Sequence, residues 1–261
     1  MDLSLSGRRA VVTGAGRGIG LAITAALAAE GAFVTAGSLG ITDELQALVG
    51  RGNVNAIAVD LSTADGPARL VDTAVAGGPL DIVVNNVGAA PVRLEGFEAV
   101  TDEDWHTTWN LTFLAAVRTT RAALPALRAA GGGVVVSVCS VNSFLPDPSV
   151  IDYSAAKAAL ANFSKALSKE VGAHRIRVNT VSPGPVRTSL WLGAGGVAAT
   201  VAAQQGGDPQ AVVDAQASAA ATGRFTEPDE VADVVLFLAS NRARNITGAD
   251  IVIDGGLVTT L

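Results

Sequence analysis

The sequence predicts an α/β fold: a doubly wound parallel sheet of about seven strands with helices on both faces. Three features predict it. Short β-branched runs alternate with helix-forming stretches along nearly the whole chain, the pattern of repeated βαβ units. Runs such as VVVSV at 134–138 are almost continuously apolar, which means burial on both sides of a parallel sheet. The first run, RRAVVTG at 8–14, leads into a glycine turn that opens a helix.

Each element follows from its residues. IGLAITAALAAEGA (19–32) is a run of helix formers with a glycine stop, FVTAG (33–37) a strand, TDELQALV (42–49) a short helix and NVNAIAVD (53–60) a strand. TADGPARLVDTAVA (63–76) is a helix, LDIVVNNVG (80–88) a strand, 102–130 one long helix and GGGVVVSVCS (131–140) a strand. YSAAKAALANFSKALSKEVG (153–172), RIRVNTVSPG (175–184), PDEVADVVLFLAS (228–240) and ADIVIDGG (249–256) complete the alternation. Only 190–223 breaks it, being rich in Ala and Gly and weakly periodic. Long loops in compact domains are commonly lids, and Trp191 and Leu192 open this one with an apolar stretch suited to covering a site, so a flexible substrate lid is expected there. The 261 residues read as a single domain, 1–261, with no linker.

Composition narrows the function. The chain is 49% hydrophobic, yet it has no apolar stretch of membrane-spanning length and no signal-peptide pattern at its start, so a cytoplasmic location is expected. One cysteine, Cys139, excludes an intramolecular disulfide, and two distant histidines, His106 and His174, make no metal cluster; no metal is expected. A net charge of −6 with scattered arginines argues against nucleic acid, leaving small molecules as partners.

Two constellations carry chemistry. Gly14, Gly18 and Gly20 in TGAGRGIG (13–20) fall between a strand and a helix, where glycine lets a pyrophosphate approach the backbone and the helix start offers unpaired N–H groups. Taken alone the spacing is weak, and its place between a strand and a helix strengthens it; a glycine-rich turn needed only for tight helix packing is the alternative. The second is Ser140, Tyr153 and Lys157. Tyr153 is the only tyrosine, and one of three lysines stands four residues after it, on the same face of a helix. A cation beside a phenol lowers its pKa from about 10 towards a useful range, and Ser140 at a strand end is placed to steady a substrate oxygen. A surface ion-dipole pair and an ordinary turn serine are the bland alternatives.

In these residues the chain resembles the short-chain dehydrogenase/reductase family, from Arg8 to about Leu257. The matching features are TGAGRGIG, Asp60, NNVG at 85–88, Ser140, Tyr153-x-x-x-Lys157, PGPVRT at 183–188 and the closing stretch from Gly223. The resemblance implies a Rossmann-type fold, a nicotinamide cofactor and hydride transfer at a carbon bearing oxygen. It also implies that Tyr153 is the acid/base and that Lys157 lowers its pKa and holds the nicotinamide ribose. The cofactor would be met by Gly14, Arg17, Gly18, Ile19, Gly20, Ser38, Asp60, Leu61, Asn86, Gly88, Pro183, Gly184, Val186 and Thr188. For Asp60 a helix N-cap is an equal alternative. The same resemblance implies pairing into dimers or tetramers through 102–130 and 153–172.

Two residues depart from the family pattern. Val87 stands where alanine is usual. The family's fourth catalytic position, an asparagine thirteen residues before a proline, is Thr112 when counted back from Pro125; Asn110 is two positions off, about 200° around a helix. No acid follows the second strand in Ala36-Gly37-Ser38-Leu39, where an NAD site places one, so NADP(H) is expected, with Arg17 and Ser38 on the 2′-phosphate. The expected activity is reduction by NADPH of a ketone on a mostly apolar substrate, of the acyl-thioester or polyketide kind. An NAD-dependent alcohol dehydrogenase and a non-catalytic dinucleotide sensor are the alternatives.

Overall fold

A computed structural model of the protein describes residues 2–260. Its strands are β1 (Arg9–Thr13), β2 (Phe33–Ser38), β3 (Val54–Ala58), β4 (Ile82–Asn85), β5 (Gly133–Val138), β6 (Ile176–Pro183) and β7 (Asp250–Ile253). They form one seven-stranded sheet in the order β3-β2-β1-β4-β5-β6-β7, and every pairing is parallel. The helices are α1 (Gly18–Ala29), α2 (Asp43–Val49), α3 (Gly66–Ala76), α4 (Asp102–Trp109), α5 (Ala115–Ala129), α6 (Ile151–Val171), α7 (Ser189–Leu192), α8 (Val197–Gln205), α9 (Pro209–Ala219) and α10 (Pro228–Ala239).

Strand periodicity divides the core into two layers. Ala10 and Val12 of β1 point to one side, where Ile23 and Leu27 of α1 and Val231 and Val235 of α10 bury against them. Val11, between them, points to the other side and joins Leu70 of α3, Leu127 of α5 and Leu167 of α6. Both faces being covered explains why the strand sequences do not alternate. The strand order reverses direction between β1 and β4, and in such sheets the crevice beyond the strand ends at that point is where ligands bind.

The structure corrects two sequence expectations. The helix expected over 102–130 is interrupted: a π turn at Asn110–Leu114 separates α4 from α5, while Pro125 sits inside α5 without ending it. The π turn changes which residues share a face, so Thr112 and Asn110 have to be placed by their contacts. The segment 190–223 is also no structureless loop. It holds α7, α8 and α9, which pack on a small core of Ala198, Val213 and Phe225, with Trp191 edge-on to Phe225 at 5.3 Å. Its periodicity is weak in sequence because short helices of Ala and Gln bury little each. No helix of the described residues is long and apolar enough to cross a membrane.

Candidate active site

Backbone crowding builds the β1/β4 side of the crevice. Gly14 has φ +68°, and a Cβ there would stand 2.9 Å from the Val87 Cα; at Gly20 it would fall on the Gly14 carbonyl oxygen and the Asn86 amide. The Asn86 Nδ2 donates to the carbonyls of Thr13 and Gly14, at 3.0 and 3.2 Å, stitching the glycine turn to the end of β4. Thr13 completes the seam: its hydroxyl oxygen accepts from the backbone N–H of Asn86 and of Val87, at 2.9 and 3.1 Å. Thr13 was readable only as part of the glycine motif, because its partners lie more than seventy residues away.

Around this seam stand the other residues expected to meet a dinucleotide. Arg17 is exposed and is the N-cap of α1 but makes no capping bond, so the first-turn amides, including those of Gly18, Ile19 and Gly20, lack a side-chain partner there. A Cβ on Gly18 would be 3.2 Å from the Thr188 methyl, which brings the loop after β6 against the glycine turn. Gly16 abuts Ser38 at the end of β2. Gly184, after Pro183, donates to the Ile253 carbonyl at 3.0 Å, and Val186 is buried and bridged to Thr226. Leu61 belongs to the core and has only its backbone to offer. Asp60 is exposed; its carboxylate accepts from the Ser62 N–H and hydroxyl, at 2.9 and 2.7 Å, which holds it below the usual carboxylate pKa. The N-cap of α3 is Asp65, so capping is not the task of Asp60. The missing Cβ atoms and the open helix start fit a dinucleotide pyrophosphate.

Across the crevice, β5 and α6 bring together Ser140, Tyr153 and Lys157. Lys157 is 3% exposed, and its Nζ donates to the Val138 carbonyl at 2.6 Å and lies 5.6 Å from the centre of the Tyr153 ring. Gly88 faces both Lys157 and Thr112: a Cβ there would be 3.6 Å from the Nζ and 3.6 Å from the threonine hydroxyl. Thr112 is fully buried, and its hydroxyl accepts from the Ala89 N–H at 3.4 Å. Asn110 looks away, accepting from Arg118 at 3.3 Å. The π turn thus presents Thr112, not Asn110, to this side of the site.

The electrostatics correct the sequence reading of the tyrosine. Burial pushes the Tyr153 phenol up to about 12, partly opposed by the nearby Ser140 hydroxyl, and burial pushes Lys157 down to about 8. Burial outweighs any lowering of the phenol, and the Lys157 Nζ lies 5.6 Å from the ring centre and donates to the Val138 carbonyl. Sequence reasoning also missed an ion pair next to the tyrosine: Asp152, with its side chain fully buried, accepts from Arg93 at 2.6 Å. An acid directly before the sole tyrosine was the readable half of this pair. Arg93, 59 residues away in sequence, was not.

Comparisons with known proteins place the chain among reductases that it aligns with from end to end. A family model described as enoyl-(acyl carrier protein) reductase matches residues 14–258. L-xylulose reductase from Bos taurus is 39% identical over 265 residues, with 100% of both chains covered. A 3-oxoacyl-acyl-carrier-protein reductase from Thermotoga maritima is 32% identical, covering 98% of this chain and 100% of its own. The crystal structure of L-sorbose reductase from Gluconobacter frateurii, complexed with NADPH and L-sorbose, superposes with a TM-score of 0.91 at 35% identity and covers 100% of both chains.

Proposed function

The chain belongs to the short-chain dehydrogenase/reductase family, and from that premise we propose that it reduces a ketone with NADPH, Tyr153 serving as the general acid. The observation that carries this reading is the convergence of Lys157, Thr112 and Gly88 within contact distance beside Tyr153, at the crevice rim opposite the glycine turn. When bound, the reduced nicotinamide supplies the hydride. The first-turn amides of α1, with Thr188 beside Gly18, hold the pyrophosphate; Arg17 and Ser38 take the 2′-phosphate; Lys157 holds the ribose next to the nicotinamide. Ser140 steadies the substrate carbonyl, and Tyr153 delivers a proton to its oxygen as negative charge develops there. A phenol at about 12 is fully protonated at neutral pH, the state an acid for ketone reduction needs. Thr112 links Lys157 to the proton supply.

The substrate proposed is a small hydroxyketone of the ketose type. The L-xylulose and L-sorbose reductases that align with the chain from end to end support this. A second reading, an apolar ketone such as an acyl-thioester, is favoured by Phe144, Leu145, Leu190 and Leu192. These lie 41–48% exposed on the two segments that follow Ser140 and Thr188. Helices α7 to α9 act as the lid over either substrate, a role supported by the Gln204 side chain of α8 donating to the Leu94 carbonyl at 3.3 Å. Pairing through α4, α5 and α6 into a dimer or tetramer is part of the proposal, and light scattering that finds only monomer removes that part. NADPH oxidation followed by absorbance, with ketoses, 3-ketoacyl thioesters and simple ketones in parallel, tests the activity. No turnover of any ketone with NADPH, nor of the matching alcohols with NAD, with dinucleotide binding intact, supports the sensor alternative; alcohol oxidation with NAD alone supports the dehydrogenase.

A further inference from the structure

Arg93 lies in the segment that leaves β4, a few residues beyond Gly88, and it donates four hydrogen bonds. Its backbone N–H donates to the Ser149 carbonyl at 2.6 Å. Its Nε and Nη2 donate to Asp152 Oδ2 at 3.2 and 2.6 Å, its Nη1 donates to Asp104 at 2.7 Å, and it is largely buried. Asp152 is saturated in turn. The Thr108 hydroxyl donates to the same Oδ2 at 2.7 Å, and the other oxygen accepts the backbone N–H of Tyr153 at 3.0 Å. One carboxylate therefore joins the segment after β4, helix α4 and the first turn of α6, where Tyr153 begins its side chain. The neighbouring Leu94 carbonyl is where Gln204 of the lid docks.

A surface pair of this kind would contribute little, but a fully buried carboxylate that accepts four hydrogen bonds fixes geometry, because removing its cation strands a charge. We propose that Arg93 and Asp152 are positioning residues for the reaction: the pair sets where the Tyr153 phenol stands relative to the substrate-side segment that Gly88 and Leu94 belong to. This rests on the ketone-reductase reading for its kinetic consequence and not for its geometric one.

The chain offers an unusual probe. Tyr153 is the only tyrosine, so tyrosinate absorbance near pH 10–12 reports that phenol alone. Asp152→Asn and Arg93→Met are expected to let water reach the phenol and move its titration down from about 12 towards its ordinary value, in protein still folded by circular dichroism. In the reductase assay the same variants should lose about tenfold or more in kcat, with NADPH affinity and KM for NADPH changed by less than about threefold. Arg93→Lys, which keeps the charge and loses the fork, should recover part of kcat. The double variant should be little worse than either single one. Unchanged titration and kcat, with only a lower melting temperature, would overturn the proposal and leave the pair a scaffold element. If no ketone is reduced by the parent, the reductase reading fails while the titration still decides the positioning claim. If Asp152→Asn does not fold, Arg93→Lys carries the same test by both readouts.

Discussion

The two walls of the crevice are built on opposite principles. The β1 wall, around Gly14, Gly18 and Gly20, works through atoms that are missing: backbone or side-chain atoms of Asn86, Val87, Thr188 and Gly14 itself stand where a side chain would begin. The β5–α6 wall works through atoms that are buried: Lys157 at 3% exposure, Thr112 at 0% and a phenol whose ionisation is set by its surroundings. Shape made by absence tolerates no addition, while chemistry made by burial is sensitive to the loss of a single polar atom.

The largest expected break is on the second wall. Tyr153→Phe removes the proposed acid and leaves the cleft, so ketone reduction should fall about a thousandfold or more, while NADPH binding followed by fluorescence stays near the parent value. An equal loss of binding and turnover would mean that the phenol is structural.

On the first wall, Gly20→Ala should act in the reverse manner. Its methyl would collide with the Gly14 carbonyl and the Asn86 amide, so the seam must open. NADPH affinity is expected to fall about a hundredfold, with stability reduced by about 1–3 kcal/mol in urea unfolding. Gly40→Ala, where nothing lies within 4 Å of the added carbon, is the matched control and should change little.

Burial on the second wall has a pH signature. Lys157 is depressed from 10.5 to about 8, so below pH 8 the fold carries a buried cation at full cost. Between about 8 and 10.5 the unfolded chain binds more protons than the folded one, and stability rises with pH by up to about 3 kcal/mol. Tyr153, raised from 10 to about 12, has the opposite sign: above pH 10 the folded state holds the proton that the unfolded state has lost, and stability falls. Urea midpoints should therefore rise from pH 8 to 10 in the parent and rise less in Lys157→Met. A flat parent profile over that window contradicts the burial of the ammonium.

Thr112→Val tests the same wall more gently. Removing the hydroxyl next to Lys157 while keeping the volume should lower turnover about tenfold, a loss of roughly 1.4 kcal/mol in transition-state stabilisation. Asn110→Ala, on the other side of the π turn, should stay near the parent rate. The reverse pattern would reassign the proton relay to Asn110.

What was legible in the sequence follows the same division. The parallel sheet and its two helical layers were readable because a parallel sheet needs continuous apolar runs, and the glycine wall was readable because no other residue can take its place. Thr112 was reached by counting back from Pro125, although the π turn that orients it leaves no mark in residue type. The direction of the Tyr153 shift was misjudged for a physical reason: i, i+4 spacing says that two side chains are neighbours but not how much water surrounds them. The Arg93–Asp152 pair depends on the path of a segment between elements, and local propensity does not encode that path.

The smallest effect returns to the first wall and asks whether it selects the cofactor. Ser38 ends β2 where an NAD site would place a carboxylate, and Gly16 lies so close to it that a side chain there would displace the hydroxyl. Arg17, one residue on, is exposed and free of any capping bond, so its guanidinium can pair with a 2′-phosphate at the rim, where water screens the contact. A rim ion pair of this kind contributes about 1 kcal/mol or less. Arg17→Ala should therefore lower kcat/KM with NADPH by about fivefold and leave NADH unchanged. Because the interaction is screened, the difference between parent and variant should shrink further in high salt. An NADH efficiency equal to that with NADPH in the parent, unaltered by Arg17→Ala, would show that the glycine wall holds the pyrophosphate but does not read the phosphate beyond it.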